Sequence, residues 1–237
     1  YTTNCQLCEI NRKNMAHIRL LKIQFDTEIQ PYEIPAFRGG VIAKAGKEHI
    51  IFHNHLNDQA YLYGYPVIQY KRVGKNPAIL CIDYGVDEIH HLFQNENLDI
   101  RIGQRPVSLT VKYLQMQKYQ LQVWDKHFEY RMYNWLALNQ DNYEKYLQLG
   151  DKLDELLFLE NILKANILSF AKGVKWEVEK NISLRIDDIL STKVVPYKQQ
   201  KLVAFDINFR TNAFLPDFVG LGKGVSLGFG TVSQIKK

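Results

Sequence analysis

Residues 67–84 read VIQYKRVGKNPAILCIDY. Two runs rich in β-branched and aromatic residues flank Gly74-Lys75-Asn76-Pro77, a cluster of turn formers, and the pattern predicts a β-hairpin. Upstream, Leu21, Ile23 and Phe25 alternate with Lys22, Gln24 and Asp26, the period of a half-buried strand over residues 17–26. Between them, residues 33–46 (EIPAFRGGVIAKAG) carry a proline near the start, Ile34, Phe37, Val41 and Ile42 at helical spacing, and a glycine at the end. That predicts a short helix, weakened by Gly39-Gly40. Downstream of the hairpin, residues 86–93 suit a second short helix and residues 98–102 a closing strand. The order β-α-β-β-α-β is the split ferredoxin-like unit, which also underlies RNA-recognition domains. Residues 48–65 are then an insertion with a short extended piece of its own.

A second pattern starts near Val111. Residues 111–124 read as a strand, and residues 142–149 and 151–172 as helices, the latter with Leu153, Leu156, Leu157, Leu163, Ile167 and Phe170 near a 3.6-residue spacing. Residues 175–209 alternate through several extended runs. The expectation is an α+β chain of two tandem ferredoxin-like (RRM-like) domains, residues 15–108 and 109–237, the second a distorted copy of the first without a detectable sequence repeat. Met15 stands immediately before the first strand, and residues 1–14 read either as an upstream remnant or as a true extension.

At 237 residues, with 46% hydrophobic and 23% charged, the chain has the composition of an ordinary folded protein rather than a fibre or a disordered tail. No uncharged apolar run approaches the ~18 residues that span a bilayer, so no membrane partner and a cytoplasmic location are expected. Cys5, Cys8 and Cys81 are too few and odd in number for a disulfide framework, and Cys5-Gln-Leu-Cys8 lacks the second ligand pair of a zinc ribbon. The net charge of +5 favours a polyanionic partner. Beyond residue 192, Lys193, Lys198, Lys201, Arg210, Lys223, Lys236 and Lys237 face only Asp206 and Asp217, which puts anion attraction in the C-terminal tract.

That tract contains GLGKGVSLGFG, residues 220–230. It is not a phosphate-binding P-loop, because Lys223 is followed by glycine rather than Ser or Thr and the segment runs into a β-prone end rather than a helix. Nor is it a dinucleotide fingerprint, which needs the same helix. It is two Gly-hydrophobic-Gly triplets around a basic centre, a design in which Leu221 and Phe229 anchor the ends and glycines let the backbone offer N–H groups to phosphate. Gly220, Gly222, Lys223, Gly224, Ser226, Gly228 and Gly230 are therefore candidate RNA contacts.

The loop, at the end of a tandem ferredoxin-like chain, resembles the C-terminal glycine-rich loop of the repeat-associated RNA-binding (RAMP) superfamily of CRISPR systems. It is most similar to that of the endoribonucleases that cut precursor guide RNA within its repeats. The resemblance implies cleavage without a metal or cofactor, by attack of a 2′-hydroxyl, leaving 2′,3′-cyclic phosphate and 5′-hydroxyl ends. It implies repeat RNA, precursor and mature, as the partner. Other effector subunits and a second copy of the chain are compatible with it. A non-catalytic repeat-binding subunit of an effector complex is the alternative within the same superfamily.

Such chemistry needs proton transfer, and Phe52-His53-Asn54-His55-Leu56 offers it. On an extended segment His53 and His55 share a face with Cα atoms about 7 Å apart. Imidazoles ordinarily titrate near 6.5, so a pair can supply one base and one acid at neutral pH. The resemblance supports the position, since one branch, associated with type I-B systems, uses two histidines in this region; which of them is the base stays open. His49, His90 and His91 have no spacing that would complete a closed metal site, and His90-His91 reads as helix surface. Lys71 is the candidate electrostatic stabiliser of the phosphorane. Tyr61, Tyr63, Tyr65 and Tyr70 are candidates to stack on bases, and Arg72, Lys75 and Arg38 to meet phosphates.

Overall fold

The computed structural model describes residues 15–53, 55–57, 60–61 and 64–236, with the backbone alone for 55–57 and 60–61. The chain forms two units, each an antiparallel sheet with helices. One is His17–Tyr119 together with Ser226–Gly228, and the other is built on Gln120–Val225 and Phe229–Lys237.

In the N-terminal unit, β1 (Ala16–Phe25), β4 (Ile68–Val73), β5 (Asn76–Ile82) and β8 (Val111–Leu121) form a sheet in the order β4-β5-β1-β8. The hairpin predicted at residues 67–84 is β4–β5, with Val73 opposite Asn76 across Gly74-Lys75. β5 runs antiparallel beside β1, Leu21 opposite Cys81 and Ile23 opposite Ile79. Helix α1 (Ile34–Ala45) buries Phe37, Val41 and Ala45, one stripe at i, i+4, i+8. These side chains join Ile23, Phe25, Tyr70 and Ile79 in one core. Full burial of each large apolar side chain contributes roughly 1.5–3 kcal/mol.

Among its described residues the insertion holds a 3-10 turn (Ile50–Phe52) and a minimal ladder of β2 (His55–Asn57) and β3 (Ala60–Tyr61). The second predicted helix is two short ones, α2 (Gly85–Glu88) and α3 (His90–Phe93). The expected closing strand is corrected. Asp99–Ile102 (β6) folds back on Arg105–Ser108 (β7) as a separate two-stranded hairpin, because Gly103 at φ +63 turns the chain there. The fourth strand of the sheet is β8, which sequence periodicity assigns to the second domain. The division between the units accordingly falls after Tyr119 rather than after residue 108.

In the C-terminal unit, β9 (Val123–Trp135), β10 (Leu184–Tyr197), β11 (Gln200–Ala213) and β12 (Thr231–Gln234) form a sheet in the order β10-β11-β9-β12. The extended runs expected over 175–209 are two 14-residue strands paired through a tight turn, Tyr197 opposite Gln200. Helix α4 (Gln140–Leu147) starts at Asn139, whose side chain accepts from the Asn142 amide. Helix α5 (Lys152–Gly173) starts at Asp151, which accepts from the Leu153 amide. Its buried stripe is Leu159, Leu163, Ile167 and Phe170, whereas Leu153 and Leu157 are exposed, so the apolar face starts a turn later than their spacing suggests.

Both sheets place their strands in the order second, third, first, fourth. In the first unit a helical crossover joins the third and fourth strands; in the second the connection is residues 214–230, with one 3-10 turn (Val225–Leu227) and no α-helix. Among the described residues no helix is long and apolar enough to cross a membrane.

Candidate active site

His53 ends the 3-10 turn of the insertion. Its φ of −131° and ψ of −7° are not those of a strand, so His53 itself stands outside the extended segment on which a shared face with His55 was conditional. His55 opens β2 opposite Tyr61, and its side chain lies outside the described residues, as do those of Tyr61 and Tyr63.

Hydrogen bonds at His53 and at the residue before it hold this turn. The His53 Nε2 lies 2.8 Å from the carbonyl oxygen of Lys47. A carbonyl only accepts, so Nε2 carries the proton and Nδ1 is the basic atom of the neutral ring. The Arg38 guanidinium donates to the His53 carbonyl at 2.7 Å, and the Tyr70 hydroxyl donates to the carbonyl of Phe52 at 3.1 Å. Arg38 and Tyr70 are thus committed to the turn that presents His53. Tyr70 is fully buried, which corrects its expected role of stacking on RNA, and burial pushes its hydroxyl far above the ordinary phenol range. Removing that hydroxyl in Tyr70→Phe leaves a buried carbonyl unpaired. We expect a loss of about 1–3 kcal/mol in urea unfolding and a lower kcat at unchanged KM.

Lys71, next along β4, is 3% exposed, and burial lowers its pKa to about 7. It is not the surface cation expected of a hairpin lysine. The residues beyond it stay near the surface. Arg72 donates to the Ile29 carbonyl at 2.7 Å, and Lys75, exposed at the hairpin tip, stands 3.9 Å from Glu28. Tyr65 is buried and accepts from the Gln69 amide.

The tip of the glycine-rich loop belongs to the N-terminal unit. At Gly228, φ is +84°, and a Cβ would stand 3.2 Å from the Tyr70 carbonyl and 3.7 Å from the Lys71 Cα. Glycine therefore lets the loop tip lie against the backbone of β4 at these two residues. The flanks belong to the C-terminal unit. Gly230, at φ +62°, sits so close to the Leu221 carbonyl that a Cβ would fall 1.9 Å from its oxygen. Gly222 and Gly224 also have positive φ, and Gly220 bridges Thr231.

The expectation that this backbone is bare for phosphate needs correction at four amides. Leu221 donates to Gly230, Lys223 to Leu136, Phe229 to Gly224 and Gly230 to Asn134. Leu221 is the buried anchor predicted from the triplets, while Phe229 is half-buried and meets Tyr197 edge-on, ring centroids 5.7 Å apart. Lys223 is exposed, its ammonium 5.5 Å from the centre of the same Tyr197 ring. Ser226 is half-buried on the 3-10 turn.

Sequence reasoning took Tyr70 for an RNA contact because it had no measure of burial. The carbonyl of Lys47, which sets the His53 tautomer, carries no signal in the sequence.

Residues 16–120 match the Cas6b N-terminal domain family and residues 122–235 the Cas6b C-terminal domain family, meeting close to the division between the two units. A crystal structure of Cas6b is similar with a TM-score of 0.82 at 28% identity, covering 93% of this chain and 100% of that one. A second, of the CRISPR RNA processing endoribonuclease Cas6b, has a TM-score of 0.69 at 26% identity, with the same coverage of both chains. The uncharacterized protein MJ0978 of Methanocaldococcus jannaschii is 37% identical over 106 residues, 44% of this chain and 69% of that protein. The two family matches, one over each antiparallel sheet-and-helix unit, identify a CRISPR-associated endoribonuclease of the RAMP superfamily. Within that class, the chain belongs to the Cas6b family.

Proposed function

We propose that this chain cleaves CRISPR precursor RNA within its repeats by 2′-hydroxyl attack, with its own side chains moving the protons. The observation that carries the reading is His53, held at ring, carbonyl and preceding residue by Lys47, Arg38 and Tyr70 with Nδ1 as its basic atom. His53 Nδ1 takes the proton of the 2′-hydroxyl. The 2′-oxygen bonds to the adjacent phosphorus, and the bond from phosphorus to the 5′-oxygen breaks. His55, as imidazolium, gives its proton to the departing 5′-oxygen. The products are a 2′,3′-cyclic phosphate and a 5′-hydroxyl.

Lys71 supports the phosphorane's negative charge. In a desolvated position an ammonium acts on a phosphate more strongly than in water, and an arriving anion favours its charged form. Lys75, Arg72, Lys223, Ser226 and the glycines 220, 222, 224, 228 and 230 take part in holding the RNA. The shared second-third-first-fourth strand order supports two tandem ferredoxin-like, RRM-like domains as the scaffold. Repeat RNA, precursor and mature, is the partner, and other effector subunits or a second copy of the chain would join it on that RNA.

The test is cleavage of a repeat RNA in excess EDTA, with the product ends analysed. The expected result is an unchanged rate and a cyclic phosphate on the upstream fragment. Loss of cleavage in EDTA that any divalent ion restores, or a 3′-hydroxyl product, would overturn the mechanism. Tight binding of RNA left intact would favour the non-catalytic alternative.

A further inference from the structure

His49 and His91 are separated by the insertion and the β4–β5 hairpin in sequence, yet in the N-terminal unit their rings lie 3.5 Å apart and 20° from parallel. Glu88, one turn before His91, places Oε2 3.6 Å from His91 Nε2. One ligand atom from each of His49, Glu88 and His91 lies within 4.8 Å of the others. A fourth donor stands beside them, because Glu48 Oε1 is 3.7 Å from His49 Nε2. Gly46 makes room for that carboxylate: at φ +106°, it has no Cβ where one would meet Glu48 Oε1 at 2.5 Å.

We propose that His49, Glu88 and His91 form a binding site for a first-row divalent cation, zinc in the first place, completed by Glu48 or water. Two imidazoles and a carboxylate are a donor set that suits such ions. Tetrahedral coordination at about 2.0–2.1 Å needs donors about 3.4 Å apart. Side-chain rotation that closes these separations and unstacks the two rings, so that their in-plane nitrogen lone pairs converge, would supply it. One further observation bears on the cluster. Among the described residues His91 Nδ1 is buried with no hydrogen-bond partner, and an orphaned imidazole nitrogen is costly to bury. The neighbouring His90 has its Nδ1 2.5 Å from the Asp87 carbonyl and is not part of the donor set.

The position gives the ion a role. His49 is the residue on which the 3-10 turn begins, and His53 the one on which it ends. Arg38 and Tyr70 hold the far end; a cation would tie the near end to α2 and α3. The site is therefore a tether for the segment leading to His53, not a participant in phosphoryl transfer, and its existence does not depend on the cleavage mechanism.

The experiment uses the full chain with Cys5→Ser and Cys8→Ser, so that the thiol pair contributes nothing. After chelator treatment it is titrated with zinc chloride by calorimetry and with cobalt(II) followed by visible absorption, without RNA. One ion per chain is expected, with a Tm that rises with zinc concentration. Glu88→Gln and His91→Ala should each weaken binding about tenfold or more, since even outer-sphere partners cost that much, while His17→Ala leaves it unchanged. If His91→Ala fails to fold by circular dichroism, Glu88→Gln, whose side chain is partly exposed, carries the comparison. No binding by the parent chain, or equal binding by Glu88→Gln, would overturn the proposal. EDTA-resistant cleavage alongside a zinc-dependent Tm would leave both the tether and the metal-free mechanism standing.

Discussion

His53→Ala is expected to slow cleavage of a repeat RNA about 10²- to 10⁴-fold, the range over which a positioned general acid or base accelerates proton transfer. RNA affinity should hardly change, because the ring hydrogen-bonds the chain's own Lys47 carbonyl and its proposed role is proton transfer. The loss should appear in single-turnover rates with enzyme in excess, which separates chemistry from binding and release. His53→Gln is the informative companion: it can keep the hydrogen bond to Lys47 but cannot take a proton. If it is as slow as alanine, proton transfer is what was lost; if it retains most activity, His53 acts through structure. The Tyr70→Phe and Arg38→Ala variants should fall between, since they displace His53 without removing its chemistry.

Lys71→Met is expected to stabilise the protein and slow it at once. The pKa of Lys71 falls from the ordinary lysine value of 10.5 to about 7 in the fold. Between these values the unfolded chain binds more protons than the folded one, so stability rises with pH across that window. At and below pH 7 the folded state bears the whole cost of burying the charge, and it regains this as pH climbs towards 10. Removing the ammonium while keeping the methylene stem should therefore raise the unfolding free energy by at most about 4 kcal/mol at pH 7. The interactions Lys71 makes in the fold are lost with it, which makes that figure a ceiling. The gain should shrink towards zero near pH 10, and denaturant melts of both proteins at pH 6, 8 and 10 would show it. Cleavage by the variant should fall about 10²- to 10³-fold, the cost of losing one preorganised charge-stabilising donor. A variant that is more stable and equally active would make Lys71 a structural residue.

The buried Lys71 is also where sequence reading stopped short. The hairpin around Gly74 was legible because turn chemistry and strand alternation are local, and the same holds for β1, α1 and α5. Pairing is not local. Nothing within Asp99–Ile102 distinguishes a strand that joins β1 from one that folds back on Arg105–Ser108, and the choice depends on the turn at Gly103 and on β8 outcompeting it for the sheet edge. Burial is not local either. Tyr70 and Lys71 look like the exposed side of a hairpin, but α1 covers one face of β4 and the loop tip at Gly228 lies on its backbone. The glycine-rich loop was readable as a motif, and its internal hydrogen bonds, which take four of its amides, were not. His49 and His91 had no useful spacing in sequence because they come from segments that meet only in the folded unit.

The most direct test replaces a single 2′-hydroxyl, that of the nucleotide upstream of the scissile phosphate, with hydrogen in an otherwise natural repeat RNA, and follows cleavage by the native chain. Nucleophilic attack from within the RNA leaves the substituted strand bound but uncut, with neighbouring 2′-deoxy positions still permissive. Cutting of that strand at the same phosphate would mean that water or another group is the nucleophile, and the assignment of His53 as the base for a 2′-hydroxyl would fall with it.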